Sequence, residues 1–322
     1  MNSITRFRLM AICLYLFGCV AIAQSISHED ITKLLDQTFS VMEQHYIEPS
    51  VVDETKNFIV ARHAMGKYHD IDTLDKFAER IGGDIRDITG DKHLSLYTVS
   101  PEEEVSHIIQ HREGKLTHNY AFEQVKVLPG NIGYLKFNKF HPDSNAKNTA
   151  DSAFNFLANT EGMVIDLRDT IGGSPELVAH MIGYFLADRT PLWSTLDAQG
   201  NVTQTVQVDK HSGHTQFRDD YPVWLVTSHN SASATELFAS ALQANNKATV
   251  VGDATAGAGF YVGVRKITDE LVFRISLLKP IISSNQSNWE KVGVEPDVKV
   301  PPVDALDSAI AIAMASQHVS ES

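Results

Sequence analysis

Two serines, Ser231 and Ser233, stand in the run Thr227-Ser-His-Asn-Ser-Ala-Ser-Ala-Thr-Glu236, where an apolar stretch ends and a helical pattern begins. A hydroxyl at that point sits beside the free N–H groups of a helix N-terminus, where negative charge is favoured. The position suits a nucleophile and the oxyanion that its attack creates, and it also suits a plain helix cap. A second candidate is the pair Gly172 and Gly173 in Arg168-Asp-Thr-Ile-Gly-Gly-Ser-Pro175. Glycines between a strand and a helix let a ligand approach the backbone and let N–H groups converge on an anion. Their spacing matches neither a P-loop nor a dinucleotide fingerprint. Among fourteen histidines, His93 lies at the junction of a helical and a strand-rich region. An imidazole titrates near neutrality and can accept a hydroxyl proton without further tuning.

The elements that must position these residues follow from periodicity. Residues 221–260 read as strand, sharp turn, helix, strand and glycine-rich loop. Val223, Trp224, Leu225 and Val226 form the apolar run of a strand buried on both faces of a parallel sheet. Leu237, Phe238, Ala241 and Leu242 then share one helical face. Upstream, strands are expected at 122–128 and 131–137 around a Pro129-Gly130 turn. A helix at 146–159 and a strand at 162–167 complete a βαβ unit. The Gly172-Gly173 turn and the Ser233 turn are expected to open into one crevice at the carboxyl ends of parallel strands. Residues 188–220 read as polar and irregular, with a hairpin around 198–201 and a covering lid at 211–215. Residues 265–270 read as a solvated turn, 271–277 as a strand and 304–316 as the closing helix.

The N-terminal third reads differently. Ser27 to Asp30 resembles a capping box, with Ile31, Leu34, Leu35, Phe39 and Met42 at helical spacing behind it. A second helix is expected over 52–65, and a third runs from an Asp72 cap to Gly90, with Gly82 and Gly83 as a weak point.

Arg6 and Arg8, the apolar run 9–22 and the small-residue site Ala21-Ile22-Ala23 predict a secretory signal peptide over residues 1–23. The run is too short for a comfortable membrane span. Cys19 offers an alternative lipid-anchor site. Both cysteines, Cys13 and Cys19, fall inside this leader, so the expected mature chain has no disulfide or thiolate metal site. Losing Arg6 and Arg8 takes the formal charge from −13 to −15, which argues against nucleic acid as a partner. A hydrophobic content of 43% over 322 residues supports one large core and a small satellite domain. The expected divisions are a helical domain at 24–97, an acidic connector at 98–121 and a core at 122–322.

In this order the motifs resemble the C-terminal processing, or tail-specific, serine protease family. The branch they resemble includes the interphotoreceptor retinoid-binding protein repeats and the tricorn core protease. Its carriers are Gly90-Asp-Lys-His93, Gly130-Asn-Ile-Gly-Tyr-Leu135, Ile165-Asp-Leu-Arg168 with Gly172 and Gly173, the Ser233 run, Val251-Gly-Asp-Ala-Thr-Ala-Gly257, and Trp289-Glu290 with Gly293-Val-Glu-Pro-Asp297. The resemblance implies an α/β, crotonase/Clp-protease-like core behind a small helical domain. It implies Ser233 as nucleophile and oxyanion N–H groups from Gly172, Gly173 and Ala234. Two departures point to the tricorn-like branch. Ala258 stands where bacterial relatives carry a lysine base, and the interval from Tyr97 to Phe122 is too short for a PDZ domain. That branch uses a histidine base supported by a glutamate, which here match His93 and Glu290.

The expected activity is hydrolysis of polypeptides, including C-terminal segments, by a periplasmic or secreted serine endopeptidase without metal or organic cofactor. The alternative is a non-catalytic carrier of an apolar ligand or peptide on the same fold. An acyl-CoA enzyme of crotonase type fits export and a Ser-His-Glu set poorly. Lys266 is the rival base in a Ser-Lys dyad. Asp166 with Arg168 is expected to be a structural ion pair, and Trp289 a packing residue.

Overall fold

The computed structural model describes residues 26–99, 118–209 and 220–320. The expected leader at 1–23, most of the 98–121 connector and the lid at 211–215 lie outside the described residues. Among those that are described, no helix is long and apolar enough to cross a membrane.

Three helices come first: α1 (His28–His45), α2 (Val52–Ala64) and α3 (Leu74–Thr89). The α1 start is a capping box, in which Asp30 N–H donates to Ser27 Oγ and Ser27 N–H to the Asp30 carboxylate. The α3 cap is Thr73 rather than Asp72, because the Thr73 hydroxyl accepts the Lys76 N–H while Asp72 pairs with the Lys76 ammonium. Gly90 ends α3 in the left-handed region at φ 72°. Gly82 lies within the continuous α3 and lets the strand β1 (Ser95–Thr98) approach, since a Cβ there would lie 3.0 Å from the Leu96 nitrogen.

The sheet residues form two layers. β2 (Phe122–Leu128), β3 (Ile132–Phe137), β4 (Gly162–Asp166), β7 (Val223–Thr227), β8 (Ala248–Gly252) and β11 (Val298–Lys299) make a six-stranded sheet in the order β11-β8-β7-β4-β3-β2. All neighbours are parallel except β2 with β3. Every residue of β7 is buried. Val223 and Leu225 pack on the side of α4 (Ala146–Phe156), α5 (Pro175–Ile182) and α6 (Ala234–Ala244). Trp224 and Val226 pack against Ala305, Ala309 and Ala313 of the closing helix α7 (Ala305–Ser320). The continuous apolar run of β7 is therefore explained by cover on both faces.

The second sheet is antiparallel and joins β1 (Ser95–Thr98), β10 (Leu271–Ile282), β5 (Pro191–Leu196) and β6 (Val202–Gln207), with β9 (Tyr261–Lys266) also pairing β10. Two expectations change here. The 188–220 segment is not irregular throughout, because β5 and β6 extend the hairpin and Trp193 anchors it in the core. The turn at 265–270 also begins later, since Arg265 and Lys266 belong to β9. The N-terminal half of β10 is the floor of the helical layer: Leu271, Phe273 and Ile275 share one apolar cluster with Phe39, Phe77 and Ile81.

Candidate active site

The turn after β7 separates the two serines by their bonding. Ser231 is fully buried; its hydroxyl donates to the Leu167 carbonyl at 2.8 Å and accepts the Ser228 N–H at 3.0 Å. Both roles of that hydroxyl are engaged, so Ser231 ties β4 to β7. Ser233, at the mouth of α6, has φ 57° and ψ −118°, a conformation that a residue with a side chain rarely adopts. That strained corner projects its Oγ to within 3.2 Å of His93 Nε2.

Glu236 holds the corner. Its carboxylate accepts the Ser233 N–H at 2.7 Å, the Gly257 N–H at 2.6 Å, the Ala258 N–H at 2.9 Å and the Thr255 hydroxyl at 2.6 Å. It is completely buried, and burial pushes its pKa above the usual carboxylate value while the four donors pull the other way. Sequence reasoning gave Glu236 no role. The signal was present, because serine followed three residues later by glutamate at a helix start is a capping-box pattern.

The second turn follows β4, the parallel neighbour of β7. Gly172 lies so close to the corner that a Cβ on it would fall 2.8 Å from the Ser233 Cβ. A Cβ on Gly173 would fall 2.0 Å from the Phe140 carbonyl oxygen. Phe140 N–H donates to the Gly172 carbonyl and Ser174 N–H to the Phe140 carbonyl, so alternation turns the intervening Gly173 N–H away from Phe140 toward the cleft that it lines. The expectation for Gly172 needs correction. Its N–H donates to Thr235 Oγ1 at 3.1 Å, which in turn donates to the Thr170 carbonyl, so that N–H is committed to the scaffold. The N–H groups of Gly173 and Ala234 have no acceptor among the described residues.

His93 precedes β1, and pairing of β1 with β10 fixes where the chain enters the site. The residue is 4% exposed. Its N–H donates to the Asp91 carboxylate at 2.9 Å, and its carbonyl accepts the Arg274 guanidinium at 3.3 Å. Burial, and then the Arg274 charge, lower its pKa to about 3, so the imidazole is neutral in the resting protein. The Nδ1 atom is buried, lies 3.8 Å from Asp91 Oδ1 and has no hydrogen-bond partner among the described residues. Ligand-type atoms of His93, Asp91 and Glu290 all fall within 4.8 Å of one another. Glu290 Oε2 accepts the Gly259 N–H at 2.5 Å, whereas Oε1 is buried and unpartnered. Burial, then the charge of Asp91, raise the Glu290 pKa to about 8. Asp91 was the other residue that sequence reasoning left without a role.

Ser233 and His93 open on a cleft of about 950 Å³, whose apolar lining includes Ala179, Trp193, Leu237 and Val264. Lys266 is outside it, half exposed and 3.8 Å from Asp269. Asp166 and Arg168 form an ion pair at 2.7 Å, with Arg168 also donating to the Pro302 carbonyl. Trp289 is buried, its indole N–H donating to the Ala258 carbonyl at 3.2 Å, and it lines the cleft as well.

The sequence pattern of peptidase family S41 matches residues 131–300. A second pattern, the N-terminal domain of peptidase S41 in eukaryotic IRBP, matches residues 20–125. A carboxyl-terminal-processing protease of Picosynechococcus is 25% identical over 211 residues, covering 65% of this chain and 49% of that protein. A carboxy-terminal processing protease of Bacillus subtilis is 26% identical over 217 residues, covering 66% and 42%. The chain thus spans half or less of the length of these curated relatives. Among solved structures, the photosystem II D1 C-terminal processing protease superposes with a TM-score of 0.55 at 16% identity, over 86% of this chain and 94% of that one. This likeness bears out the expected fold class. With the family pattern spanning both glycine and serine turns as well as Glu290, the chain belongs to peptidase family S41.

Proposed function

We propose that the chain is an exported serine endopeptidase that hydrolyses polypeptides, carboxyl-terminal segments among them, through an acyl-enzyme on Ser233. The observation that carries this reading is the 3.2 Å approach of His93 Nε2 to Ser233 Oγ at the wall of the cleft. His93 Nε2 takes the hydroxyl proton as Ser233 Oγ attacks the scissile carbonyl carbon. The tetrahedral oxyanion is held by the N–H groups of Gly173 and Ala234, which have no acceptor among the described residues. The C–N bond breaks as His93 gives that proton to the leaving amine. Water then enters, loses a proton to His93 and cleaves the Ser233 ester, restoring the hydroxyl. Glu290 supports the imidazolium from the Nδ1 side. Preference for carboxyl termini is supported by the names of the relatives. Export is supported by the leader pattern at residues 1–23, with the periplasm or the exterior as destination; the intact mass of the mature protein separates cleavage after Ala23 from lipidation at Cys19.

Fluorophosphonate labelling of the folded protein, followed by peptide mapping, tests the reading. An adduct on Ser233 that disappears in His93→Ala is expected. A folded protein that takes no label would favour the carrier alternative, in which the apolar cleft holds a ligand without chemistry.

A further inference from the structure

We propose that Asp91 and Glu290 form a carboxylate pair that carries one proton at neutral pH, and that this proton decides which nitrogen of His93 faces Ser233. The inference rests on the peptidase reading and makes Asp91 a positioning residue that acts through Glu290.

Asp91 is completely buried and Glu290 largely so, and their oxygens lie within the 4.8 Å cluster. Two carboxylates this close in a low-dielectric site do not both ionise readily. Hydrogen bonding says which one takes the proton. Asp91 is already an acceptor on both oxygens, from the His93 N–H at 2.9 Å and the Tyr46 hydroxyl at 3.2 Å. Glu290 accepts only on Oε2, and its Oε1 is unpartnered. The proton therefore belongs on Glu290 Oε1; His93 Nδ1, 3.8 Å from Asp91 Oδ1, and Ser276 Oγ beside Asp91 are also without a hydrogen-bond partner among the described residues.

A protonated Oε1 is a donor, and when it turns to Nδ1 the ring nitrogen accepts. The imidazole then carries its hydrogen on Nε2 and points it at Ser233, where it cannot act as a base. An ionised Oε1 is an acceptor, so Nδ1 carries the hydrogen and the Nε2 lone pair faces the Ser233 hydroxyl. The charged groups facing the pair set the balance. Asp91 and Glu48 raise the Glu290 pKa and Lys291 lowers it, with Lys291 also 3.1 Å from Glu48. On the His93 side, Arg274 opposes protonation of the ring. With Glu290 pushed up to about 8, the site turns on toward alkaline pH.

The test follows the rate of fluorophosphonate labelling of Ser233 against pH in the full chain, together with His93 ¹⁵N shifts, which report the tautomer whether or not chemistry occurs. The wild-type rate should climb roughly tenfold per pH unit and level off as Glu290 ionises. Asp91→Asn should move that limb toward acid by about one unit or more, because it removes a buried like charge. Lys291→Gln should move it toward alkali. The ¹⁵N shifts should pass from the Nε2–H to the Nδ1–H tautomer across the wild-type limb. An unmoved limb in both variants, or a single tautomer throughout, overturns the proposal. If Asp91→Asn does not fold, the direction of the Lys291→Gln shift decides alone. Absence of labelling at every pH would sink the peptidase reading, while the tautomer titration would still decide the pair.

Discussion

Ser231 and Ser233 are two residues apart and nearly alike in sequence context, and only bonding separates them. The first is clamped by Leu167 and Ser228, the second is held in a strained corner with its hydroxyl toward an imidazole. Such strain persists only where surrounding contacts over-determine it. Here the contact is Glu236, which ties the Ser233 N–H to the loop carrying Thr255, Gly257 and Ala258. Glu236→Gln keeps the shape but turns an amide NH₂ toward donors. It should cost about 2–4 kcal/mol of stability, since buried donors are left without acceptors. It should also slow labelling of Ser233 more than a matched loss of stability at a remote site. Chemical denaturation and labelling kinetics on the same sample check this, and an unchanged denaturation midpoint would remove Glu236 from the role. Much of this was legible beforehand. The serine turn, the glycine turn, His93 and Glu290 are local patterns or family motifs, whereas the Gly172 bond to Thr235 spans 63 residues and depends on packing that no local pattern encodes.

The same limit governs the elements. Continuous apolar runs such as β7 and amphipathic helices such as α1 and α3 announce themselves, because their period matches the face they bury. β6 does not, since its side chains are mostly exposed and its order comes from pairing with β5. β9 is likewise half-exposed and stabilised by β10. The glycine turn after β4 gives a prediction at this scale. Gly173→Ala adds a Cβ into the Phe140 carbonyl at φ 130°, where backbone rather than a flexible side chain would have to yield. The variant should lose more than about 2 kcal/mol of stability and most of its Ser233 labelling. A variant of wild-type stability and reactivity would show that the turn is not needed in this form.

At the scale of the molecule, the helical layer and the chemistry are not separable. β10 is shared by the helical cluster and by the sheet that carries the cleft wall, and His93 enters the site between α3 and β1. Deleting residues 25–89 should therefore abolish hydrolysis. It should also expose Leu271, Phe273 and Ile275, so the truncated chain should bind a hydrophobic dye and aggregate. A monomeric, fully active core would contradict this. Stability should also carry the mark of the buried pair. Because the Glu290 pKa is raised from 4.5 to about 8 in the folded state, the native form binds the extra proton between those values. Stability from this group is present below about 4.5 and is lost as pH rises through about 8. The thermal midpoint of the wild type should accordingly fall relative to that of Glu290→Gln over this window, and parallel curves would refute the assignment. His93 has the opposite sign: its lowered pKa gives stability above about 6.5 that is lost as pH falls toward about 3.

The most direct test of His93 as the base of Ser233 is turnover of a fluorogenic peptide by full-length His93→Ala and Lys266→Ala, each verified as folded. Lys266 is half exposed and paired with Asp269 outside the cleft that Ser233 lines. Lys266→Ala should retain most of the wild-type kcat/KM. His93→Ala should lose about three orders of magnitude or more, in keeping with removal of the base from a serine triad. Near-normal turnover by His93→Ala together with its loss in Lys266→Ala would instead make the reaction a Ser-Lys mechanism.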